Sequence, residues 1–410
     1  MSSIIKVDTI QDQSGNNIIN ESGNTVTIGK SGDTVNIVGT LQNNGGALPG
    51  DITSVVAGTG LSGGGTSGDV TLNVEAAQSG ITSLGTLTAL TVNGNVSIDG
   101  GTIKLDGNYP VGTNNVALGD QALDDGSLSG QHLTAIGHVA LTVNTSGSHN
   151  TGVGSNALTS NTTGGCNTAF GVSALGSNNT ASYNTAVGRS AMVLNTTGAN
   201  NVAVGYESLF TNTTSSEHTA VGFCALRANT SGIRNTAVGR QAMKANTTGC
   251  CNVAVGSNAL LTGTTGDFNT AVGGASMMAV VTGNSNTAVG ACTLACNTSG
   301  TLNTAVGICS SHAMTTGQQN VSVGGSSLIA NTTGSRNTAL GMSSLSTNTT
   351  GADNTAVGHG ALSANTTASE NTAVGRASLQ SNTTGTPNTA VGFKALNANT
   401  TGASNTAVGQ

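Results

Sequence analysis

The chain has 410 residues, a formal net charge of −6, 7% charged and 2% aromatic residues, 61 glycines and no tryptophan. So few large apolar side chains exclude a single large hydrophobic core, and the composition is not typical of a globular enzyme. Before residue 150 there are 12 acidic and 3 basic residues, and after it 5 acidic and 8 basic residues. Neither part carries the dense basic patch of a nucleic-acid-binding protein.

Residues 1–46 alternate polar and apolar side chains in short runs that Gly, Asn and Ser clusters separate, as in residues 4–10, 24–29 and 34–39. This pattern predicts short β-strands. The first ten residues lack the charged start and apolar core of a secretory signal, and no apolar run of 18 residues occurs in the sequence. We therefore expect neither export by the usual route nor insertion into a membrane.

Residues 47–70 are rich in glycine and are predicted to be a linker. The run from Gly58 to Gly65 lacks the Walker spacing and the following Lys-Ser/Thr, so it does not predict a phosphate-binding loop. Residues 71–114 form a β-rich segment with further short strands predicted around 70–74, 88–92 and 96–99.

Residues 115–410 are a repeat array built on the motif Asn-Thr-Ala-Val-Gly, as in residues 184–188. Copies start every 17 residues from Leu133 to Asn405, which is sixteen steps and therefore 17 copies. His218 and Leu133 stand where the other copies have Asn, and an eighteenth copy starts at Asn115, one residue out of phase. A strict period of this size is typical of a stacked, elongated architecture.

We number the positions of a repeat from 0 at the Asn to 16. Position 4 is Gly in all 17 in-phase copies, and positions 11 to 14 usually read Asn-Thr-Thr-Gly. Gly at positions 4 and 14 is expected to turn the chain with positive φ, which places the variable pairs at 5–6 and 15–16 on solvent-facing corners. The Thr and Val residues favour strands, and no run is long enough for a helix.

The fold class predicted is therefore all-β, an elongated parallel β-solenoid or β-roll with 17-residue coils. Coils stacked at about 4.8 Å would make a rod of about 80 Å, with Asn ladders at positions 0 and 11. Strand alternation places positions 1 and 3 on one face, which we expect to fill the coil. The Ala at position 2 would then press against another chain, which favours a parallel trimer, although small residues also suit tight packing inside one coil.

Position 5 collects many of the large or charged side chains of the array. They are His138, Arg189, Tyr206, Phe223, Arg240, Met342, His359, Arg376 and Phe393. Stacked coils would align them along one edge of the rod, where Arg189, Tyr206, Phe223, Arg240, His359, Arg376 and Phe393 form a candidate stripe for contact with a host surface. The alternative interpretation is a solvated corner that tolerates any side chain.

The array offers little for catalysis or metal binding. From Asn150 onward its only carboxylates are Glu207, Glu217, Asp267, Asp353 and Glu370, without a Ser-His-Asp set or a zinc-type Cys spacing. We therefore predict no catalytic, cofactor-binding or metal-binding residue. Seven cysteines lie in the array. Cys292 and Cys309 occupy position 6 of neighbouring coils and are expected to come within disulfide reach. Free, space-filling thiols are the simpler interpretation.

The opening residues 2–29, SSIIKVDTIQDQSGNNIINESGNTVTIG, resemble the N-termini of tail-fibre and other virion proteins of phages that infect marine cyanobacteria. ITSVVAGTGLSGGGTSGDVTLNV and TLTALTVNGNVSIDGGTIKLDG are similar to tail-fibre shaft segments. The array resembles, more loosely, the shorter NSVAIG-type repeats in the head domains of trimeric autotransporter adhesins, which form β-rolls.

These resemblances imply a non-enzymatic homotrimeric tail fibre, made in the host cytoplasm and carried on the virion. Residues 1–46 would attach it to a tail or adaptor protein, and its distal end would face a host surface glycan or protein. A bacterial surface adhesin is the main alternative. An ice-binding solenoid and a glycan-depolymerising tailspike are further ones, the first weakened because the Thr pair at positions 12 and 13 would point to opposite faces.

Overall fold

The computed structural model describes residues 9–11, 13, 17–22, 25–28, 55–56, 61–65, 72–74 and 113–410. The chain divides into two compact units, Met1–Gly101 and Thr102–Gln410.

The described residues of the first unit form two small antiparallel sheets. One has the order β1-β2-β3 and the other β4-β5-β6. Their strands are β1 Thr9–Gln11, β2 Asn17–Ser22, β3 Thr25–Ile28, β4 Val55–Val56, β5 Leu61–Gly65 and β6 Leu72–Val74. Strands β3 and β6 lie where the alternation predicts strands, whereas β4 and β5 lie within the predicted Gly-rich linker. The strands predicted at 34–39, 88–92 and 96–99 fall outside the described residues.

The second unit is an all-β parallel solenoid with one strand in each coil, and the part of the chain described contains no helix. Its strands are β7 Val116–Leu118, β8 Thr134–Ile136, β9 Thr151–Val153, β10 Thr168–Phe170, β11 Thr185–Val187, β12 Val202–Val204, β13 Thr219–Val221, β14 Thr236–Val238, β15 Val253–Val255, β16 Thr270–Val272, β17 Thr287–Val289, β18 Thr304–Val306, β19 Val321–Val323, β20 Thr338–Leu340, β21 Thr355–Val357, β22 Thr372–Val374, β23 Asn388–Val391 and β24 Asn405–Val408.

Each strand pairs in parallel with the strand one repeat away, so equivalent positions lie side by side. Thr185 pairs with Val202 and Val187 with Val204, and the same register continues from the pair β7–β8 to the pair β23–β24. Within 113–410 no pair joins β24 back to β7, so the strands form one open ladder along the solenoid. The turns stack as well, since the N–H of Met192 donates to the carbonyl of Ser208 over 3.0 Å. The predicted parallel β-solenoid is thereby confirmed.

The turns of the coil use more positive-φ residues than the sequence predicts. Gly at position 4 has φ between +121° and +139° throughout, as expected. The expectation for position 14 is wrong, because Gly198 and its equivalents do not have positive φ. Instead, non-glycine residues at positions 6, 8 and 16 take left-handed conformations, as Ser190, Met192 and Asn200 do with φ of 57°, 50° and 60°.

The buried and outward-facing sides of each strand are the reverse of our prediction. Ala186 and the other residues at position 2 are buried within a single chain, whereas positions 1 and 3 face outward and are half-buried or exposed. The reason is space: a Cβ on Gly152, at position 2, would lie 3.3 Å from the carbonyl oxygen of Ala157 and 3.5 Å from Cδ1 of Leu141. Contacts this close favour the single methyl group of Ala over the larger side chain of Val. The Ala face therefore packs inside the coil and not against another chain.

The core consists of stacked rows rather than one central cluster. Position 2 contributes Ala, position 7 Ala or another small residue, and position 8 Leu or Met in nearly every coil. Leu175 and Met192 are both fully buried members of the position 8 row. Each residue in such a row contacts its equivalents above and below, so the apolar burial is spread along the solenoid.

Two Asn ladders close the core, as predicted. At position 0 the N–H of Asn201 donates to Oδ1 of Asn184 over 3.0 Å, and Nδ2 of Asn184 donates to the carbonyl of Gly198 over 2.9 Å. At position 11 Nδ2 of Asn195 donates both to Oδ1 of Asn178 and to the carbonyl of Gly198, over 3.0 and 2.9 Å. These buried amides are hydrogen-bonded, as buried polar groups must be.

A candidate contact surface beside the strand ladder

The predicted position 5 stripe is a real row of exposed side chains. Arg189, Tyr206, Phe223 and Arg240 lie on four successive coils, directly after the Gly turn that ends each strand. The rings of Tyr206 and Phe223 stack with centroids 5.4 Å apart and 10° between planes, and Cζ of Arg189 lies 5.8 Å from the Tyr206 centroid. We call the position 5 residues the position 5 row.

The remaining stripe residues form a second group on three successive coils, His359, Arg376 and Phe393. Cζ of Arg376 lies 5.7 Å from the Phe393 centroid, and Nζ of Lys394 lies 5.3 Å from it. Between the two groups the row carries mostly small residues, so the structure brings the seven candidates together as two clusters and not as one continuous stripe.

Beside the first cluster lies a polar network that the sequence did not predict. The hydroxyl of Tyr206 hydrogen-bonds to Glu207, which raises the pKa of Tyr206. Nε of Arg227 lies 2.6 Å from Oε2 of Glu207; this bond, followed by that of Tyr206, holds the pKa of Glu207 below its usual value. Cζ of Arg227 lies 5.1 Å from the ring centroid of Phe210. The network links positions 6 and 9 of neighbouring coils, so no single column of the repeat reveals it.

A second exposed row, at position 16, borders the strands on their other side. It contains ion pairs along the stack, with Nε of Arg234 2.7 Å from Oε2 of Glu217 and Arg336 donating two bonds to Asp353, at 2.7 and 2.8 Å. We call these residues the position 16 row. Each residue of this row comes two positions before the strand of the next coil. It lies on the opposite side of that strand from the position 5 row.

Between the two rows lies an outward-facing surface made by positions 1 and 3 of the strands β7–β24, which we call the Thr–Val strip. Position 1 is Thr or Val and position 3 is Val, Ile, Leu or Phe in every strand. Val255, Val289, Val323 and Val391 each remain 37–38% exposed, and Phe170 is 56% exposed. Sequence reasoning missed this surface because it assigned the same positions to the interior.

All seven cysteines are free thiols, Cys292 and Cys309 included. Within the described residues no group of three His, Cys, Asp or Glu side chains could hold a metal ion, and no helix is long and apolar enough to cross a membrane. Thr at position 12 is engaged in the stack, since Oγ1 of Thr247 donates to the carbonyl of Thr264 over 3.0 Å.

No family model, no curated protein and no solved structure matches the chain.

Proposed function

We propose that this chain is a tail-fibre protein of a phage that infects marine cyanobacteria, and that its repeat array is a rod which holds a contact surface away from the virion. The observation that carries the proposal is the uninterrupted ladder of parallel strands from β7 to β24, a stack of about 80 Å. Such a stack is stiff because each coil bonds to both neighbours through backbone and Asn side chains.

In this proposal residues 1–46 attach the fibre to a tail or adaptor protein of the virion, and three copies associate in parallel as a homotrimer. The similarity of residues 2–29 to tail-fibre N-termini supports the attachment. The protein is made in the cytoplasm of the infected host and is then carried on the virion.

Contact with the host is assigned to the position 5 row. Its clusters combine cationic and aromatic side chains in the open, as Arg189 and Tyr206 do in one cluster and Arg376 and Phe393 in the other. Aromatic rings and guanidinium groups are the side chains that dominate recognition surfaces, so a host surface glycan or protein is the partner we propose.

The experiment is to label particles with antibodies raised against residues 115–410. Gold label on the tails of purified cyanophage is the expected result, with label on infected but not on uninfected cells. Label on uninfected bacterial surfaces and none on particles would contradict the tail-fibre proposal and favour a cellular adhesin instead.

A further inference from the structure

The Thr–Val strip is a long outward-facing surface with Thr at position 1 in 14 of its 18 strands and an apolar residue at position 3 in all of them. Within β7–β24 no residue at position 1 or 3 is charged. A spacing of about 4.8 Å and a width of roughly 10 Å give the strip about 800 Å² in each chain. A stable interface buries about 800 Å² on each partner, so the strip is large enough to form one.

The repeat itself indicates which partner fits. The strip repeats its shape at every strand, so a second copy of the same chain, parallel and in register, can match every Val and Thr along the full length. A rotation about an axis that lies between the copies and runs parallel to the solenoids brings the position 16 row of one copy beside the position 5 row of the next, at the same height. An antiparallel arrangement would instead bring each row against itself.

The charges along the two borders include one complementary pair and one like pair, since Arg234, which pairs with Glu217 in its own chain, and Arg240 border β14. Glu370 and Arg376 border the same strand, β22, from opposite sides, and both are exposed. Neither forms an ion pair within the described residues. The strand between them keeps them apart in one chain, but a parallel neighbour would bring Glu370 of one copy to Arg376 of the next.

Apolar residues border other strands in the same way. Leu302 and Ile308 border β18, and they are 55% and 63% exposed. Pro387 and Phe393 border β23. Parallel packing would therefore place apolar contacts at the border of the strip beside β18 and β23, and a charge pair beside β22.

We propose that the Thr–Val strip is the face through which copies of this chain pack side by side, parallel and in register, with Glu370 of one copy paired to Arg376 of the next. This inference rests on the proposed homotrimeric fibre and names its contact face. It replaces the predicted Ala face, which is buried inside each chain.

The first test places a charge in the middle of the strip of the full-length protein. Val289→Asp is expected to lower the mass measured by light scattering to that of a monomer, because it buries an unpaired carboxylate at the interface. The matched control is Thr248→Asp, at an exposed position 13 away from the strip, which should leave the mass unchanged. Circular dichroism checks that both variants keep their β structure.

The second test examines the register through charge reversal. Glu370→Arg and Arg376→Glu should each raise the concentration at which the oligomer dissociates about tenfold or more, because like charges then face each other. The double reversal should restore wild-type dissociation. Lys244→Glu, a reversal at position 9, is the control and should have no effect.

Three outcomes would overturn the inference. A wild-type protein that stays monomeric at all concentrations would do so, and thermal hysteresis in that monomer would assign the strip to ice. An oligomer that Val289→Asp does not dissociate would place the contact elsewhere while leaving the fibre proposal intact. Dissociation by Val289→Asp without rescue by the double reversal would exclude the parallel register. Particle labelling is independent of all three results.

Discussion

Among the individual residues, His218 replaces Asn in the position 0 ladder and forms a hydrogen bond equivalent to that of Asn. Its Nδ1 accepts the N–H of Asn235 over 3.2 Å, as an Asn Oδ1 would. The neutral ring therefore carries its proton on Nε2, which lies near the Gly232 carbonyl that an Asn Nδ2 would bind and 3.2 Å from Nδ2 of Asn229. Protonation of Nδ1 would remove the acceptor, and burial lowers the pKa of His218 to about 4.

This geometry predicts a specific pH dependence of stability. The pKa is lower in the folded state than its usual value of 6.5, so the native state favours neutral His218. Its contribution is complete above pH 6.5 and is lost as the pH falls to about 4, by up to about 3 kcal/mol. Denaturation midpoints at pH 7, 5.5 and 4 should show this loss for the wild type and for His359→Asn, a change of an exposed histidine. His218→Asn should lose much less, and an equal loss in all three proteins would contradict the interpretation.

Two glycines of successive coils, Gly232 and Gly239, distinguish the requirement for positive φ from the requirement for close packing. Gly239, at position 4, has φ +137°, and a Cβ there would lie 2.5 Å from the Gly256 carbonyl oxygen. Gly232, at position 14, is also closely packed but lacks positive φ, and other coils accept Ala or Ser there, as at Ala181 and Ser215. The difference between the two sites is therefore the conformation.

Gly239→Ala should destabilise the protein by about 2 kcal/mol or more, because strain adds to the contact with the next coil. Gly232→Ala should cost clearly less, since neighbouring coils already accommodate that methyl group. Chemical denaturation of the two variants measures the difference. Equal losses would mean that packing and not φ determines where Gly is required.

At the scale of the element, the coils are not equally strong. Between β18 and β19 the apolar core is divided, with one buried cluster ending at Met314 and the next beginning at Leu328. Ser311 occupies position 8, where Leu or Met is usual, and Met314 occupies position 11 in place of Asn. The ladder is interrupted there, since Oδ1 of Asn297 accepts the N–H of Gly300 and not an amide from the next coil.

We interpret Ser311 and Met314 as a compensating pair, in which Met supplies the apolar volume that Ser lacks. Ser311→Leu combined with Met314→Asn should restore both rows and stabilise the protein by about 1–3 kcal/mol. Each single change should be destabilising, the first by overpacking and the second by a cavity. A double-mutant cycle in chemical denaturation measures the coupling, and additive effects would show that the two residues do not share one space.

The sequence predicts most of the coil but not which face of each strand points into its interior. The 17-residue period, the Gly at position 4 and both Asn ladders follow directly from the repeated letters. Alternation in Thr-Ala-Val fixes that position 2 opposes positions 1 and 3, yet not which side is interior. That choice depends on the Leu or Met of position 8, which fills the narrow coil and leaves room at position 2 only for a methyl group.

In the assembled molecule, the position 5 row is related both to the proposed host contact and to the proposed interface between copies. Its alignment could be predicted from the period, whereas the Glu207–Arg227 network and the Thr–Val strip could not, since both depend on which side chains turn outward. In a parallel oligomer the row lies at the rim of the interface, where polar side chains stay partly in water. Arg376 is then tied to assembly, while Arg189 and Arg240 border strands whose position 16 residues, Tyr183 and Arg234, are not acidic.

Arg189 and Arg240 are therefore the residues that test host contact with the least effect on assembly. The variant Arg189→Ser/Arg240→Ser should reduce adsorption of particles to host cells about tenfold, because the first cluster loses its free cations on both sides of the Tyr206–Phe223 stack. Adsorption rates at low and high salt measure this, and the wild-type rate should fall with salt more steeply than that of the variant. Light scattering must first show an unchanged oligomer. Unchanged adsorption with intact assembly would mean that the position 5 row is a solvated corner and that host contact lies elsewhere.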